Sequence, residues 1–447
     1  MERYESYKDS GIEWIGEIPE GWESVRLKYA GQSIIGIVYS PSDVTDESKG
    51  ILVLRSSNIQ NGKLTFDDCV YVSRDIENKY LTKEGDVLLC ARNGSAHLVG
   101  KAAHIGKDNI GLTFGAFMSI VRSSLGKYLF YIFNSQIFKA QIGLFSTSTI
   151  NQLTSDTLNN MVIAFPKAYS EQTAIAIYLD RKTAEIDALI AQKERLIALY
   201  EEEKTAIINQ AVTRGIDPNA KLKDSGIDWL GEIPAEWEVK KLKYLVSKVG
   251  SGVTPKGGAS IYQLSGIPLL RSQNIHFNGL KMDDVAYISE EIHDAMANSK
   301  VQAGDVLLNI TGTSIGRCFY ADEHLGEANV NQHVCIVRPK NKVTTKYLYF
   351  VLRSNLGQEQ INAEQTGSGR EGLNFEALNK FLIPYISLQE QVAIIHHIET
   401  ETARIDAKIA KTQRIIELQK EYRTALISEV VTGKIKVPNT ATQESTL

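Results

Sequence analysis

The feature that most constrains the fold of this chain is a motif that it contains twice. The stretch DSGIEWIGEIPEGWE occupies Asp9–Glu23, and DSGIDWLGEIPAEWE occupies Asp224–Glu238. Across the aligned stretches Tyr7–Tyr29 and Leu222–Tyr244, 15 of 23 positions are identical. A chain of 447 residues is long enough for two or three domains with sizeable cores. The repeat therefore predicts that one structural unit is built twice.

Further motifs recur in the same order in both halves of the chain. They are LRSSNI and LRSQNI (Leu54–Ile59 and Leu270–Ile275), GDVLL (Gly85–Leu89 and Gly304–Leu308), and EQTAIA and EQVAII (Glu171–Ala176 and Glu390–Ile395). The offset between the copies grows only from 215 to 219 residues along the chain. A period this long indicates two duplicated domains and not a solenoid of short repeats.

Each half begins with a region of short apolar runs separated by Gly, Asn and Ser. Runs such as ILVLRSS, DVLLCAR and FMSIVRS are typical of strands. The segments KYLFYIFNSQIFKAQI and KYLYFVLRSNLGQEQI have apolar residues three and four apart, which is typical of helices. We therefore predict the α+β fold class, with similar strand-rich domains over residues 1–167 and 216–386.

A long helix is predicted after each of these domains, over residues 168–215 and 387–434. Between Glu171 and Thr213 there is no Pro or Gly, and apolar residues recur at alternating steps of four and three. An apolar stripe of this length needs a partner, and the obvious partner is the other long helix. We expect the two helices to pair as an antiparallel coiled coil with pseudo-twofold symmetry, followed by a flexible tail over residues 435–447.

Composition places the chain among ordinary globular proteins. It has no run of 18 or more apolar residues, and its first residues, MERYESYKDS, lack the apolar core of a signal peptide. Four widely spaced cysteines form no CxxC pair, so we expect a cytoplasmic protein without disulfides. The net charge is −4, but residues 85–139 contain six Lys or Arg against two Asp. That local excess is compatible with a basic face and equally with an ordinary solvated surface.

Taken together, these motifs resemble those of the DNA specificity subunits of type I restriction-modification enzymes. The resemblance rests on the tryptophan motif, the LRS motif, GDVLL followed by NGSAHLVG or TGTSIGR, and the helix openings SEQTAIAIYLD and LQEQVAIIHHI. It extends to about Lys434. It implies two target recognition domains that each read one half of a split, asymmetric double-stranded DNA site. It also implies long helices that hold these domains apart and dock two modification (methyltransferase) subunits, with restriction (translocase) subunits joining that core.

The same resemblance implies that this chain has no catalytic activity and binds no cofactor. S-adenosylmethionine, ATP and Mg²⁺ are then expected on the partner subunits. The sequence agrees, because it lacks the Pro-Pro pair of an adenine methyltransferase and the Walker A motif of an ATPase. Two alternatives stay open: a nuclease or methyltransferase with a degenerate motif, and a scaffold of two domains that binds proteins only. No metal site is predicted.

Candidate DNA-binding residues are those whose side chains read base edges and that follow the GDVLL strand or precede the long helix. They are Arg92, Asn93, Ser95, His97, Ser146, Thr147, Ser148, Thr149 and Asn151 in the first half, and Thr311, Thr313, Ser314, Arg317, Ser368, Arg370 and Asn374 in the second. The residues Arg55, Asn58, Arg271 and Asn274 recur in both halves, so they are predicted to position phosphates or to have a structural role. The tryptophans are predicted to be packing anchors that seat each domain against a helix end.

Overall fold

A computed structural model describes residues 2–145, 151–368 and 372–438. The chain divides into two compact units. Unit 1 consists of Met1–Glu194 and Gln413–Leu447, and unit 2 consists of Arg195–Thr412. Each unit therefore contains one strand-rich region, the beginning of the long helix that follows it, and the end of the other long helix. This division cuts both long helices, whereas the sequence suggested separate domains and helices.

Short strands dominate the first half of the chain. Its strands are β1 (Tyr7–Asp9), β2 (Glu17–Pro19), β3 (Trp22–Arg26), β4 (Gln32–Ile35), β5 (Val44–Thr45), β6 (Ile51–Leu54), β7 (Ile59–Gln60), β8 (Lys63–Leu64), β9 (Tyr71–Val72), β10 (Val87–Cys90), β11 (Ala102–His104), β12 (Thr113–Phe114), β13 (Met118–Arg122) and β14 (Val162–Pro166). Its helices are α1 (Gly126–Phe133), α2 (Gln136–Phe145), α3 (Ser155–Asn160) and α4 (Tyr169–Arg214).

The second half repeats this succession with small changes. Its strands are β15 (Leu222–Asp224), β16 (Glu232–Pro234), β17 (Glu238–Lys241), β18 (Val246–Ser251), β19 (Ile267–Leu270), β20 (Ile275–His276), β21 (Gly279–Leu280), β22 (Ala286–Ile288), β23 (Val306–Asn309), β24 (Cys318–Tyr320), β25 (Asn329–Val330), β26 (Val334–Pro339) and β27 (Leu382–Tyr385). Its helices are α5 (Leu242–Leu245), α6 (Glu290–Ala295), α7 (Thr345–Arg353), α8 (Asn355–Ser368), α9 (Phe375–Lys380) and α10 (Leu388–Val431).

The core of each strand-rich region lies between two sheets. In unit 1 these sheets have the orders β11-β10-β13-β4 and β12-β6-β9-β5, and in unit 2 they have the orders β18-β26-β23-β24 and β22-β19-β25. The apolar runs of the sequence supply this core, because Leu54, Leu88 and Ile120 are completely buried in unit 1. The α+β class and the duplication predicted from the motifs are confirmed.

The aspartate of each GDVLL motif forms a buried ion pair. In unit 1, Nε and Nη2 of Arg122 donate to the two carboxylate oxygens of Asp86 at 2.9 and 2.7 Å. In unit 2, Arg338 donates to Asp305 in the same way, at 2.6 and 2.8 Å. Both aspartates are almost fully buried. The motif therefore supplies a charge that fixes β10 to β13, and β23 to β26, as well as apolar residues for the core.

In unit 1 the beginning of α4 and the end of α10 run antiparallel. Nε1 of Trp22 donates to Glu171 in the first turn of α4, 3.1 Å away. Gly433, just beyond α10, packs against the same indole. Further along, Nε of Arg423 on α10 donates to Asp187 on α4 at 2.8 Å. Residue numbers thus rise along α4 as they fall along α10.

Unit 2 contains the same arrangement with the helices exchanged. Nε1 of Trp237 donates to Glu390 in the first turn of α10, 2.8 Å away, and Gly215 beyond α4 packs against its indole. Further along, Lys204 on α4 forms an ion pair with Asp406 on α10. The segments of the long helices within this unit are therefore antiparallel too.

Only one tryptophan of each repeat fits the predicted role of a packing anchor. Trp22 and Trp237 are each 1% exposed and contact a helix end, as expected. Trp229 is instead 47% exposed, so the expectation is wrong for this residue. Its counterpart Trp14 is half-buried, and its Nε1 atom has no hydrogen-bond acceptor among the described residues.

In each unit a serine divides the helical segment that follows β13 or its counterpart β26. The predicted helix around residues 127–142 forms α1 and α2, separated at Ser135, whose buried hydroxyl donates to the carbonyl oxygen of Ile132 at 2.6 Å. Ser354 does the same to Val351 at 2.7 Å between α7 and α8. A serine hydroxyl that bonds to a nearby carbonyl competes with the helical ladder. This competition explains why each segment turns within an otherwise helical pattern.

The chain remains packed slightly beyond the second long helix. Ile435 is buried, and the amide of Lys436 donates to the carbonyl oxygen of Glu2 at 2.9 Å. The stretch predicted as a flexible tail therefore begins with ordered residues, and residues 439–447 lie outside the described part. Among the helices of the described residues, none is long and apolar enough to cross a membrane.

We expect Gly433→Ala to destabilise the protein more than the equivalent change Gly215→Ala. Both glycines have a positive φ, of +73° and +74°, which costs a residue with a Cβ about 1–2 kcal/mol. A Cβ at 433 would also lie 2.4 Å from Cδ of Pro19, whereas one at 215 would be 3.3 Å from the ring of Trp237. The added overlap raises the expected decrease in the free energy of unfolding of Gly433→Ala to about 2–4 kcal/mol.

Urea unfolding followed by circular dichroism measures both changes. Equal losses for the two variants would show that the helix end moves away from Pro19 without cost, contrary to this prediction.

Candidate nucleic-acid interface

In unit 1 two candidate segments that are distant in sequence meet at the end of β10. The amide of Leu153, just before α3, donates to the carbonyl oxygen of Ala91 at 2.7 Å. Nδ2 of Asn151 donates to the carbonyl oxygen of Gly94 at 3.0 Å, across 57 residues of sequence. The turn after GDVLL and the segment that leads into α3 therefore form one surface.

Two further turns join this surface. Nδ2 of Asn93 donates to Oγ of Ser56 in the LRS motif at 3.1 Å. The amide of Arg92 donates to the carbonyl oxygen of Phe117 at 3.0 Å, and the Arg92 guanidinium lies 5.2 Å from the centre of the Phe117 ring. Phe117 is 59% exposed. We call this set of residues the first loop cluster: Ser56, Ala91–Ser95, Phe117 and Asn151–Gln152.

Unit 2 brings the equivalent segments together. The amide of Leu373, just before α9, donates to the carbonyl oxygen of Ile310 at 2.8 Å. Nδ2 of Asn309 donates to the carbonyl oxygen of Ser272 in the LRS motif at 2.8 Å, and the amide of Ile310 donates to the carbonyl oxygen of His333 at 3.0 Å. We call this set the second loop cluster: Ser272, Asn309–Ser314, Gln332–His333 and Gly372–Leu373.

The two clusters share their backbone framework and differ in the side chains that they present. Where the first has Arg92 stacked on Phe117, the second has Oγ1 of Thr311 2.6 Å from Nδ1 of His333. Nε2 of His333 is in turn 2.9 Å from Nε2 of Gln332. A cation on an aromatic face and a chain of hydrogen-bonding side chains are complementary to different chemical groups.

Most of the residues predicted to bind DNA that can be described lie in or beside these clusters. Arg92, Ser95, His97 and Thr313 are exposed, and Asn93, Asn151, Thr311, Ser314 and Arg317 are half-buried. Asn374 is exposed, but its side-chain oxygen already caps α9 by accepting the amide of Ala377 at 2.8 Å. Ser146, Thr147, Ser148, Thr149 and Arg370 lie outside the described residues, and Ser368 ends α8 with no description of its side chain.

The repeated asparagines are part of the framework beneath the clusters. Asn58 is 1% exposed; its Oδ1 accepts the amide of Arg55 at 2.9 Å, and its Nδ2 donates to two carbonyl oxygens of the following turn. Asn274 makes the same three bonds beside Arg271. Because both asparagines are buried and fully bonded, neither amide is free to contact a nucleic acid.

The repeated arginines lie nearer the surface and interact with a carboxylate. Nη2 of Arg55 is 2.7 Å from Asp68, and Nη2 of Arg271 is 3.9 Å from Asp284. Each arginine therefore braces the turn that its asparagine holds.

Part of the basic excess of residues 85–139 is neutralised within unit 1. Arg122 pairs with Asp86, and Lys127 pairs with Asp180 on α4. Arg92 has no ion-pair partner among the described residues, and its charge lies over an aromatic ring at the surface. Arg92 is consequently the cation of the first loop cluster that remains available to a ligand.

Phe117 and His333 were not predicted as site residues from the sequence. Phe117 directly precedes β13 and His333 directly precedes β26, the strands that pair with the two GDVLL strands. Each residue lies opposite the residues that follow the GDVLL motif of its unit. A phenylalanine at the start of an apolar run is normally a core residue, so its exposure follows only from the sheet register. The alignment of FGAFMSIVR with VNQHVCIVR, in which Phe117 matches His333, was the available signal.

The described residues show no metal-binding cluster of His, Cys, Asp or Glu. The four cysteines are free thiols. Burial raises the pKa of Cys318 and of Cys335 to about 12, so these thiols are protonated at neutral pH and unsuited to act as nucleophiles.

Solved structures share the fold of this chain. A chain of a type I restriction-modification system has a TM-score of 0.70 at 15% identity, with 94% of this chain and 99% of that chain covered. The HsdS subunit of Thermoanaerobacter tengcongensis has a TM-score of 0.51 at 16% identity, with 94% and 98% covered. The fold of this chain, with two strand-rich regions and two long helices, is therefore the fold of these solved structures.

Sequence comparisons identify the family. The family model described as type I restriction modification DNA specificity domain matches residues 19–198 and 234–419. The EcoKI specificity subunit of Escherichia coli K12 is 22% identical over 442 residues, which are 94% of this chain and 90% of that protein. The putative MjaX specificity subunit of Methanocaldococcus jannaschii is 24% identical over 443 residues, 95% and 96% of the two chains. The chain belongs to the family of type I restriction-modification DNA specificity proteins.

Proposed function

We propose that this chain is the non-catalytic, sequence-specific DNA-binding specificity subunit of a type I restriction-modification complex. Each loop cluster reads one half of a split, asymmetric target in double-stranded DNA. Two modification subunits bind to the chain and methylate the target, and restriction subunits join the same complex. S-adenosylmethionine, ATP and Mg²⁺ are bound by these partners and not by this chain.

The observation that carries the proposal is that one framework presents two different sets of side chains. In both units the turn after GDVLL meets the segment before the short helix through equivalent backbone bonds, Leu153 to Ala91 and Leu373 to Ile310. The LRS turn joins them in both units through an asparagine side chain, although the two asparagines are not at matching positions. On this framework Arg92 and Phe117 occupy the places of Thr311 and His333. An arginine favours guanine, whereas hydroxyl and imidazole groups suit other base edges. Two readers of unlike half-sites require this combination of common framework and different side chains.

The runner-up is an enzyme that cleaves or methylates DNA by itself. Asp67, Asp68, Glu77 and Lys79 loosely fit the pattern of a nuclease, in which an acidic residue and a following ExK hold Mg²⁺. In the structure Asp68 pairs with Arg55, and Lys79 pairs with Glu77 at 2.8 Å. Turnover by the purified chain with Mg²⁺ or S-adenosylmethionine would establish this alternative. A plain protein scaffold, the other alternative, would give no DNA footprint even with its partners bound.

The proposal is tested by sequencing the methylated sites of a host that carries this chain and its cognate modification subunit. We expect one split motif with methylated adenine in each half. Replacing residues 30–160 with those of another family member should change one half of the motif and leave the other unchanged. The exchange retains β3 and β14, which pair with each other, and it retains the contact of Trp22 with Glu171. Simultaneous change of both halves would contradict the assignment of one half-site to each unit.

A further inference from the structure

Four polar side chains at the second loop cluster form one hydrogen-bonded chain. Oγ1 of Thr254, just beyond β18, donates to Oε1 of Gln332. Nε2 of Gln332 lies 2.9 Å from Nε2 of His333, and Nδ1 of His333 lies 2.6 Å from Oγ1 of Thr311. Thr254 and Gln332 are exposed, whereas His333 and Thr311 are half-buried. We call these four residues the Thr254–Thr311 chain. It ends at the threonine that lies two residues beyond β23.

The first loop cluster has different chemistry at the same places. Ala116 and Phe117 stand where the second cluster has Gln332 and His333, and neither side chain can form a conventional hydrogen bond. The Thr254–Thr311 chain therefore belongs to the side chains that differ between the units and not to their common framework. Its role is specific to the half-site that unit 2 reads.

The chain has a direction, because a carboxamide nitrogen can donate a hydrogen bond but cannot accept one. Since Oε1 of Gln332 accepts from Thr254, it is Nε2 of the amide that faces His333. Nε2 of His333 must then accept and carry no proton. The ring proton lies on Nδ1, which donates to Oγ1 of Thr311. The hydroxyl proton of Thr311 is left over, and it has no acceptor among the described residues.

We propose that Thr311 reads one base pair of the second half-site as a hydrogen-bond donor, and that His333 and Gln332 are the positioning residues that fix this polarity. If the chain ran the other way, the Thr311 proton would be used on His333 and only lone pairs would face the DNA. This inference rests on the function proposed above and assigns a polarity to one part of it.

The polarity defines the chemical group that is recognised. In the major groove, guanine offers the acceptors N7 and O6, adenine offers N7 and thymine offers O4, whereas cytosine offers an amino donor. The Thr311 proton finds a partner on any of the first three bases. Opposite a cytosine amino group it would be left without an acceptor at the interface, which costs free energy. Thr311 therefore requires an acceptor atom at the base edge that it contacts.

The test uses the complex of the full-length chain with its cognate modification subunit, and measures methylation of duplex libraries randomised in the second half-site. Thr311→Val removes the hydroxyl and nearly preserves the shape of the side chain. Preference for the correct base at one base pair should fall by roughly 3- to 12-fold, the range for one hydrogen bond. Thr311→Ser retains the hydroxyl and should retain the preference. Preferences in the first half-site should not change.

Base analogues establish the polarity at the affected base pair. Removing or weakening the contacted acceptor, with a 7-deazapurine, 6-thioguanine or 4-thiothymine, should reduce methylation by the wild-type complex. The same analogue should cause no further loss with Thr311→Val, because groups that contact each other have non-additive effects. An equal loss with both complexes would overturn the inference. So would an effect that depends on the amino group of cytosine or adenine, because Thr311 would then be the acceptor.

Variants of the positioning residues separate orientation from packing. His333→Phe keeps an aromatic ring but removes the donor to Thr311, so the preference at the same base pair should fall, by less than in Thr311→Val. His333→Asn places an amide N–H near the position of Nδ1 and should restore the preference, which a role in packing alone would not require. His324→Phe, at an exposed histidine outside the cluster, is the matched control and should change nothing.

Thermal unfolding and circular dichroism establish that each variant is folded. Gln332→Ala changes an exposed side chain and decides the question if a change at Thr311 or His333 unfolds the chain. It leaves the direction of the hydrogen bonds unfixed, so the preference at the same base pair should fall as in His333→Phe.

The remaining outcomes separate this inference from the proposed function. An unchanged preference in Thr311→Val, together with a normal split motif, would overturn the inference and leave the function standing. Uniformly weaker methylation of every sequence by Thr311→Val would also overturn it, by making the hydroxyl a phosphate contact. Failure of the wild-type complex to methylate any split motif would instead contradict the proposed function.

Discussion

Asp305→Ala is expected to lower the free energy of unfolding by about 3–5 kcal/mol, the largest loss of stability that we predict for a single substitution. Asp305 is completely buried, and both of its carboxylate oxygens accept hydrogen bonds from Arg338. The amide of Gln302 donates to the same carboxylate at 2.7 Å. The substitution therefore leaves a guanidinium and a backbone amide in a poorly hydrated place without their acceptor.

In the native protein the hydrogen bond to Asp305 raises the pKa of Arg338. The variant lacks that bond, but an arginine stays protonated at neutral pH without it, so Arg338 cannot relieve the loss by giving up its proton. The guanidinium is about one quarter exposed, which lets water compensate for a part of the loss. Asp86→Ala should behave similarly, because Asp86 is 1% exposed and bonded to Arg122 in the same way.

Matched controls are available at the exposed ion pairs of the same units. Asp284→Ala removes the partner of Arg271, and Asp68→Ala removes the partner of Arg55; these carboxylates are 87% and 65% exposed. Exposed pairs contribute about 0–1 kcal/mol. Urea unfolding of the four variants measures the differences. A loss for Asp305→Ala no larger than that for Asp284→Ala would show that water satisfies Arg338 fully.

A double replacement tests the reason for the loss. Asp305→Leu with Arg338→Met removes both charges and keeps the volume apolar, so it should recover much of the stability lost in Asp305→Ala. If the double variant were as unstable as Asp305→Ala, the loss of stability would come from the missing ion pair and not from an unpaired charge left behind.

The duplication and the long helices followed directly from the sequence, because both depend on local signals. Repeated motifs define the two units, and a stretch without Pro or Gly with apolar residues at helical spacing defines α4. The pairing of Trp22 with Glu171 spans 149 residues and has no local signal. The same holds for Asp86 and Arg122, which form one pair only once β10 lies beside β13. Long-range partners of this kind depend on sheet register, which single-sequence patterns do not encode.

The candidate interface was predictable at the level of segments and not of side chains. The turn after GDVLL differs in sequence between the halves, and Arg92 lies in it. Phe117 was missed because the sequence does not distinguish an exposed apolar residue at a strand end from a buried one. Asn374 was chosen for its chemistry, yet its side chain is used to cap α9. Such competition between capping and recognition is visible only in three dimensions.

Arg92→Ala is expected to reduce discrimination strongly at one base pair in one half of the target. The Arg92 guanidinium is exposed and held over the Phe117 ring, and a stacked, preorganised arginine loses little freedom when it binds a guanine edge. A lost bidentate contact costs about 1–3 kcal/mol, so preference for the correct base should fall by roughly 5- to 150-fold. Sequence preferences in the other half should stay unchanged, because unit 2 is untouched.

Phe117→Ala should produce a milder form of the same defect. It leaves the charge in place and removes the ring that orients it, so the preference at the same base pair should fall by less than in Arg92→Ala. Phe117→Tyr retains an aromatic face and should restore the preference, which a role in packing alone would not require. Lys107→Ala, which removes an exposed charge outside the cluster, is the matched control.

Methylation of duplex libraries randomised in one half-site at a time measures these preferences, at two or more salt concentrations. A base contact predicts that Arg92→Ala changes the selected sequence while the dependence on salt changes little. A phosphate contact predicts the opposite: uniformly weaker binding to every sequence, with the slope of log K against log salt reduced by about one. The second result would make Arg92 a positioning residue and leave reading of the first half-site to the remaining side chains of the cluster, Asn93 and Ser95 among them.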